Sequence, residues 1–245
     1  VAALVRSWMS HDSVPDEPTL AQLLANALLL QDIVGEDALS AGVWYVAIDF
    51  QLFTLFVALL WLARSLADGA PRATAHAVML LVAVLALASL FHFNRDSDWD
   101  NWAVYFMGAY ALGAVACWAS LPGAARVWRW LLAALVLATL LALAVDFRER
   151  IALALAVALL LAAAQWGGWL TTFPRSRVLA YLGQISYSVF LLNFPIGLVV
   201  NAAFTRFAPA DPVVQTVGVL VAWLACNLAG AVFYHQVEHR LRRLG

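Results

Sequence analysis

The sequence predicts an all-α fold, a polytopic membrane helix bundle with about seven transmembrane helices, and three observations carry that expectation. First, 64% of the 245 residues are hydrophobic and only 12% are charged, with a mean hydropathy of +0.85. A soluble domain carries about twice that charge, so polar side chains are too few here to cover a water-facing surface. Second, the apolar residues gather into seven stretches of bilayer-crossing length, about 20 residues at about 1.5 Å each. Third, alternating strand patterns are absent, which argues against a membrane barrel, and no solenoid or propeller repeat occurs. The same composition excludes a nucleic-acid binder, a disordered chain and a secreted disulfide scaffold. The two cysteines, Cys117 and Cys226, both fall inside apolar runs and read as small core residues.

Residues 1–42 read as an outer segment in which Thr19–Asp32 (TLAQLLANALLLQD) is amphipathic and is expected to lie along the interface. A seven-span domain follows over residues 43–235, with spans at Val43–Leu62, Ala73–Phe93, Trp102–Leu121, Val127–Val145, Ile151–Leu170, Ile185–Phe204 and Val213–His235. Asp68-Gly69-Ala70-Pro71 and Ala208-Pro209-Ala210-Asp211-Pro212 are turn chemistry between them. Residues 236–245 form a basic tail.

Charge sets the orientation. The net charge of −1 hides two unequal sides. One side holds five Arg (Arg6, Arg95, Arg148, Arg150, Arg206) and twelve carboxylates, a sum of −7. The other holds nine Arg against Asp68 and Glu238, a sum of +7, and Asp49 lies within a span. All basic residues are Arg. The positive-inside rule puts the second side in the cytoplasm, with the C-terminus there and a cell (inner) membrane as the location. The N-terminus is then outside, yet no upstream signal or span exports it, and Val1–Ser10 (VAALVRSWMS) reads like the tail of an outward-going helix. The expectation is the C-terminal part of a longer protein.

Polar side chains inside a span are costly and mark candidate sites. Asp49 sits six residues into the first span, about 9 Å along the axis. Tyr45, four residues earlier, shares its face and is placed to bond the carboxylate, whereas Gln51 points elsewhere. Asp49 reads either as a carboxylate lining an outward-facing polar cavity or as a helix–helix hydrogen bond. In the sixth span Ser186, Asn193 and Gly197 share one face, and Pro195 frees the Leu191 carbonyl. That pattern suits a broken helix lining a cavity, or a simple kink. Ala109, Gly113 and Cys117 form a small-residue stripe expected to allow close helix packing. The outer loop Phe91–Asp100 has the aromatic and acidic side chains to hold a sugar, or to sit at the interface. His235-Gln236-Val237-Glu238-His239 matches the H-x-x-E-H pattern of inverted zincins, but no third ligand is evident and no metal site is predicted. His11, His76 and His92 read as interfacial.

Three segments carry a family resemblance. Val178–Ile196 (VLAYLGQISYSVFLLNFPI) resembles the late-span signature of the membrane acyltransferase 3 family, roughly L-G-x-I-S-Y-S-x-Y-L-x-H-x-P. Val43–Phe53 (VWYVAIDFQLF) is similar to its W-S-L-S-x-E-x-Q-F/L-Y segment, and Phe233–Glu238 to its closing aromatic–x–x–x–E element. The resemblance covers nearly the whole chain. It implies a multi-pass enzyme that moves an acyl group from a cytoplasmic acyl-CoA-type donor to a hydroxyl of a carbohydrate or glycan acceptor. The donor is then a cosubstrate, no cofactor is bound, and the lipid bilayer is the remaining partner. The catalytic group implied here is Asp49, Tyr45 and Asn193. Trp44, Gln51, Ser186, Tyr187 and Glu238 would line the substrate site, and Arg126, Arg129, Arg175 and Arg177 would attract the phosphates of the donor. The family's general-base His lies in earlier spans and has no counterpart in this sequence. Two positions depart from the pattern: Asp49 stands for the usual Glu, and Asn193 for the usual His. A transporter or flippase-like protein with a polar central cavity is the alternative, since carriers also use broken helices.

Overall fold

The computed structural model of the protein describes residues 18–40, 42–172, 176–209 and 211–241. Among them the chain is helical and no strand occurs. In order the helices are α1 (Leu20–Ala27), α2 (Gln31–Val34), α3 (Val43–Leu66), α4 (Pro71–Phe91), α5 (Ala103–Ser120) and α6 (Arg126–Val145). There follow α7 (Glu149–Trp166), α8 (Trp169–Thr172), α9 (Arg177–Phe207), α10 (Pro212–Phe233) and α11 (His239–Leu241). Two 3₁₀ turns, Phe93–Arg95 and Ser97–Trp99, join α4 to α5, and a π-helical turn, Tyr234–Glu238, follows α10. Seven helices are long and apolar enough to cross a membrane, and the seven predicted spans fall on them one for one. The fold is an all-α polytopic membrane fold.

Local chemistry starts the helices. Pro71 and Pro212 occupy first-turn positions, where the missing N–H has no helical partner to lose. The Asp211 carboxylate accepts from the Val213 and Val214 N–H groups at 2.9 and 3.2 Å and so caps α10. The stretch Thr19–Asp32, expected as one interfacial helix, is two helices. Leu29 takes a left-handed φ of 59° after α1. The Asn26 amide then ties the chain back, donating to the Asp37 carbonyl and accepting from the Leu39 N–H, both at 3.0 Å.

The largest revision concerns α9. It begins at Arg177 instead of Ile185, with Ser176 as its cap, and its 31 residues extend about 46 Å, beyond a hydrocarbon core of about 30 Å. It also continues through Pro195 as helix, so of the broken helix and the simple kink weighed there, the break is not formed.

The chain divides into two units, residues 46–173 and residues 1–45 with 174–245, and the boundary falls inside α3. In the 46–173 unit α5 is central: half of its most apolar window is buried, the largest share among the seven spans. Ile48, Leu52, Leu59 and Ala63 of α3 pack at helical spacing into the same core as Val82 of α4 and Leu132 of α6. Outward faces stay apolar. Trp130 and Leu137 of α6 are 69% and 60% exposed, the pattern of a lipid-facing surface and the reverse of a water-soluble one. Of the stripe Ala109–Gly113–Cys117, Ala109 packs against the cluster of Leu90, Ala142 and Ile151, and the other two positions do not make the close contact expected. Gly113 has open space where a Cβ would stand, and Cys117 is exposed. The contact runs one position earlier on α5, at Gly108, where a Cβ would fall 2.9 Å from Leu90 Cγ of α4.

The described part of the other unit is built on α9 and α10, which run antiparallel. Val189 lies against Gly230, and Phe204 against Gly218. A Cβ on Gly230 would stand 2.8 Å from Val189 Cα, a backbone atom with no rotamer to yield. Gly230→Ala should therefore force α9 and α10 apart and cost about 1–3 kcal/mol, although Ala otherwise favours helix over Gly. Gly113→Ala, with nothing within 4 Å, should cost nothing. Thermal unfolding of the two purified variants checks the contrast.

Candidate functional site

In the 46–173 unit the structure separates two residues that lie only two apart in sequence. The Asp49 carboxylate is exposed and makes no hydrogen bond or ion pair among the described residues. Gln51 is engaged at both ends of its amide. Its N–H₂ donates to the Asn101 carbonyl at 3.1 Å and its oxygen accepts from the Ala103 N–H at 3.0 Å, satisfying the first turn of α5. Arg126 and Arg129, at the start of α6, are exposed and make no ion pair among the described residues.

The same unit holds a polar network that the sequence pattern did not single out. Arg148 donates from Nη1 to Asn94 Oδ1 at 2.7 Å and from Nη2 to the Leu90 carbonyl at 2.9 Å. It thereby closes the C-terminal end of α4, where carbonyls have no helical donor. Asp146 stands 3.8 Å from its Nε and 3.5 Å from that of Arg95. Burial pushes the Arg148 pKa down, Asp146 raises it and Arg95 lowers it further. Fully buried Ser89 adds to the network: it donates to the Tyr105 carbonyl and accepts from the Gly108 N–H, both at 2.9 Å. In the loop considered for sugars, Phe93 meets Trp99 edge-on at 4.8 Å, Asp96 accepts from the Asp98 N–H, and Asn94 turns inward.

In the other unit the Tyr45 hydroxyl, expected to bond Asp49, has no hydrogen-bond partner among the described residues. Its ring packs edge-on against Phe190 of α9 at 5.8 Å, three residues before Asn193, and against Trp44 at 6.2 Å. Ser186 spends its hydroxyl on the Gly183 carbonyl of its own helix at 2.8 Å. Tyr187 is 56% exposed, and the Asn193 side chain is exposed without a partner among the described residues. The buried serine of this motif is Ser188, which donates to Glu238 Oε2 at 2.8 Å. Next to it Tyr181 stacks on His235 at 6.1 Å, with its hydroxyl 3.3 Å from Nε2. The π turn thus directs His235 and Glu238 onto α9, and π turns recur at functional sites. Among the described residues no group of three or more His, Cys, Asp or Glu gathers as a metal site. Arg177 is exposed at the start of α9; Arg175 lies outside the described residues. Ser188 lies with Ile185 on the buried i, i+3 face of α9, whereas Ser186 and Tyr187 do not, a difference of phase that the residue types alone do not announce.

A family model described as an acyltransferase domain, that of acyltransferase 3, matches residues 9–232. The chain belongs to this family. It is a membrane acyltransferase with multiple apolar spans. The match takes in Tyr45, Asp49, the four arginines and Asn193 and ends ahead of the π turn, so Glu238 lies beyond it. No curated protein and no solved structure matches the chain significantly.

The Arg148 network gives this acyltransferase a measurable dependence. Arg148→Ala leaves the Asn94 and Leu90 oxygens without their donor and should lower stability by about 3 kcal/mol, the scale of bonds to a charged group. Arg148→Lys keeps the charge but not the fork and should recover less than half of that loss. Thermal unfolding in detergent checks both, and an unchanged transition in Arg148→Ala would remove the network as a stabilising element.

Proposed function

We propose that this acyltransferase moves an acyl group from a cytoplasmic acyl-CoA-type donor to a hydroxyl of a carbohydrate acceptor, in an inner membrane with its C-terminus in the cytoplasm. The observation that carries this reading is the Asp49 carboxylate. An ionisable group in a span is costly unless a polar partner meets it, and Asp49 has none among the described residues while Gln51 beside it is fully engaged. A carboxylate left open in this way suits an acceptor hydroxyl or the base that deprotonates it.

In the reaction the acceptor oxygen bonds to the thioester carbonyl carbon, the carbon–sulfur bond breaks, and the hydroxyl proton passes to a base and on to the departing thiolate. Following the family resemblance, that base is a His supplied by the family's early spans, and Asp49 orients it or the acceptor. The same resemblance gives Tyr45, Trp44, Asn193 and Tyr187 roles toward the substrates. Ser186 keeps its oxygen free to accept. Gln51 and Glu238, each held by a neighbouring helix, act as positioning residues. The phosphates of the donor are attracted by Arg126, Arg129, Arg175 and Arg177. A transporter or flippase-like protein with a polar central cavity is the second reading, and α9 lacks at Pro195 the unwound backbone that carriers use.

Asp49→Asn tests the proposal directly. Since the carboxylate holds no contact among the described residues, the amide should leave expression and folding intact. Transfer from radiolabelled acyl-CoA to envelope glycan, assayed in membranes carrying the full-length protein, should fall about 100-fold or more. Undiminished glycan acylation by the Asn variant would overturn the role of Asp49.

A further inference from the structure

Two grooves meet at the Arg126 end of the 46–173 unit. One, of about 250 Å³, runs between α5 and α7 and is lined by Gly113, Cys117, Leu161 and Gln165. The other, of about 350 Å³, lies where α3, α4, α5 and α6 come together, against Leu60, Ala75, Trp118 and Trp128. Leu121, at the end of α5, lines both. Both grooves are lined mainly by apolar side chains, and the first has Ser120 and Gln165 at its helix ends. From Gly113 to Ser120 the first extends about 10 Å along α5, from mid-span to the span's end.

The charge at this end is one-sided. The turns between α3 and α4 and between α5 and α6 are flanked by Arg64, Arg72, Arg126 and Arg129, against one carboxylate, Asp68. None of these arginines makes an ion pair among the described residues. Helix α6 starts at Arg126 with no side-chain cap; the Trp128 N–H donates to the Ala125 carbonyl at 3.0 Å, and the Arg126 and Val127 N–H groups have no partner among the described residues. The Gln165 amide, at the end of the α5–α7 groove, has no hydrogen-bond partner among the described residues.

We propose that this end of the unit holds one anionic phospholipid, with an acyl chain in each groove astride Leu121 and the phosphate at Arg126 and Arg129. Two apolar grooves diverging from one point match a two-chain amphiphile, and unpaired arginines at that point match an anionic headgroup over a zwitterionic one. Gln165 donates to an ester carbonyl of the chain beside it. The Trp118–Trp128 pair, with ring centroids 4.8 Å apart, forms the wall at interfacial depth, where indole rings are favoured.

The test uses the full chain in nanodiscs of equal phosphatidylglycerol and phosphatidylcholine, released for native mass spectrometry. One phosphatidylglycerol should stay bound in preference to phosphatidylcholine. The double variant Arg126→Gln with Arg129→Gln should reduce that preference about tenfold. Gly113→Phe, whose ring enters open space, should lower retention of both lipids. Independently of any variant, N-ethylmaleimide should alkylate Cys117 more slowly in phosphatidylglycerol nanodiscs than in lipid-free detergent, with buried Cys226 as the unreactive reference. Equal retention of the two lipids, a preference unmoved in the double variant, or equal Cys117 rates overturns the proposal. So does displacement of the lipid by soluble palmitoyl-CoA well beyond that produced by CoA alone, which would assign the grooves to the acyl chain of the donor.

Discussion

Inside a hydrocarbon layer no backbone N–H or C=O can turn to water, and that requirement shapes everything else in this chain. It makes every span a helix, and it leaves only the helix ends and the side chains as places where polar chemistry can vary. Several polar side chains within the spans obey it by bonding their own helix. Thr54, Thr139, Thr216 and Asn227 each donate to the carbonyl four residues back, at 2.7–2.8 Å. The helix ends are harder, since their carbonyls and N–H groups have no helical partner. Here the chain answers with long side chains from elsewhere in the same unit. Arg148 serves the Leu90 carbonyl at the end of α4, and Gln51 serves the Ala103 N–H at the start of α5. These contacts join residues more than fifty positions apart, so capping and tertiary structure are the same act.

This also explains which parts of the molecule were legible in the sequence. The spans were, because the constraint that creates them acts on composition over about 20 residues and leaves its trace in hydropathy. The pairing of faces was not. Ser186 and Ser188 are chemically identical and two residues apart, yet only Ser188 lies on the buried face and reaches Glu238. Gly108 and Gly113 likewise differ only in phase, and the helix contact uses the first. Arg148 counted merely as one outer charge, since nothing local announces that its fork will meet Asn94 and Leu90. Pro195 left a break and a kink equally open in the sequence. Its cost is the loss of one hydrogen bond and a local clash, and the helix continues through it.

The candidate site follows from sorting the polar groups by whether they are already engaged. Asp49 and Gln51 show what that sorting means in one stretch of helix. At 100° per residue their side chains leave α3 about 200° apart. Gln51 is held at both ends by Asn101 and Ala103, so the rotation of α3 about its axis is set relative to α5 within that unit. Fixing Gln51 therefore fixes the direction of Asp49 without touching it. The helix fixes only where the Asp49 side chain leaves the backbone, so a ligand arriving there has the side-chain torsions left to order. In the proposed function Gln51 thus acts through geometry alone. The closeness of the two residues in sequence is what makes that coupling stiff: two helical residues carry the orientation, with no flexible segment between them.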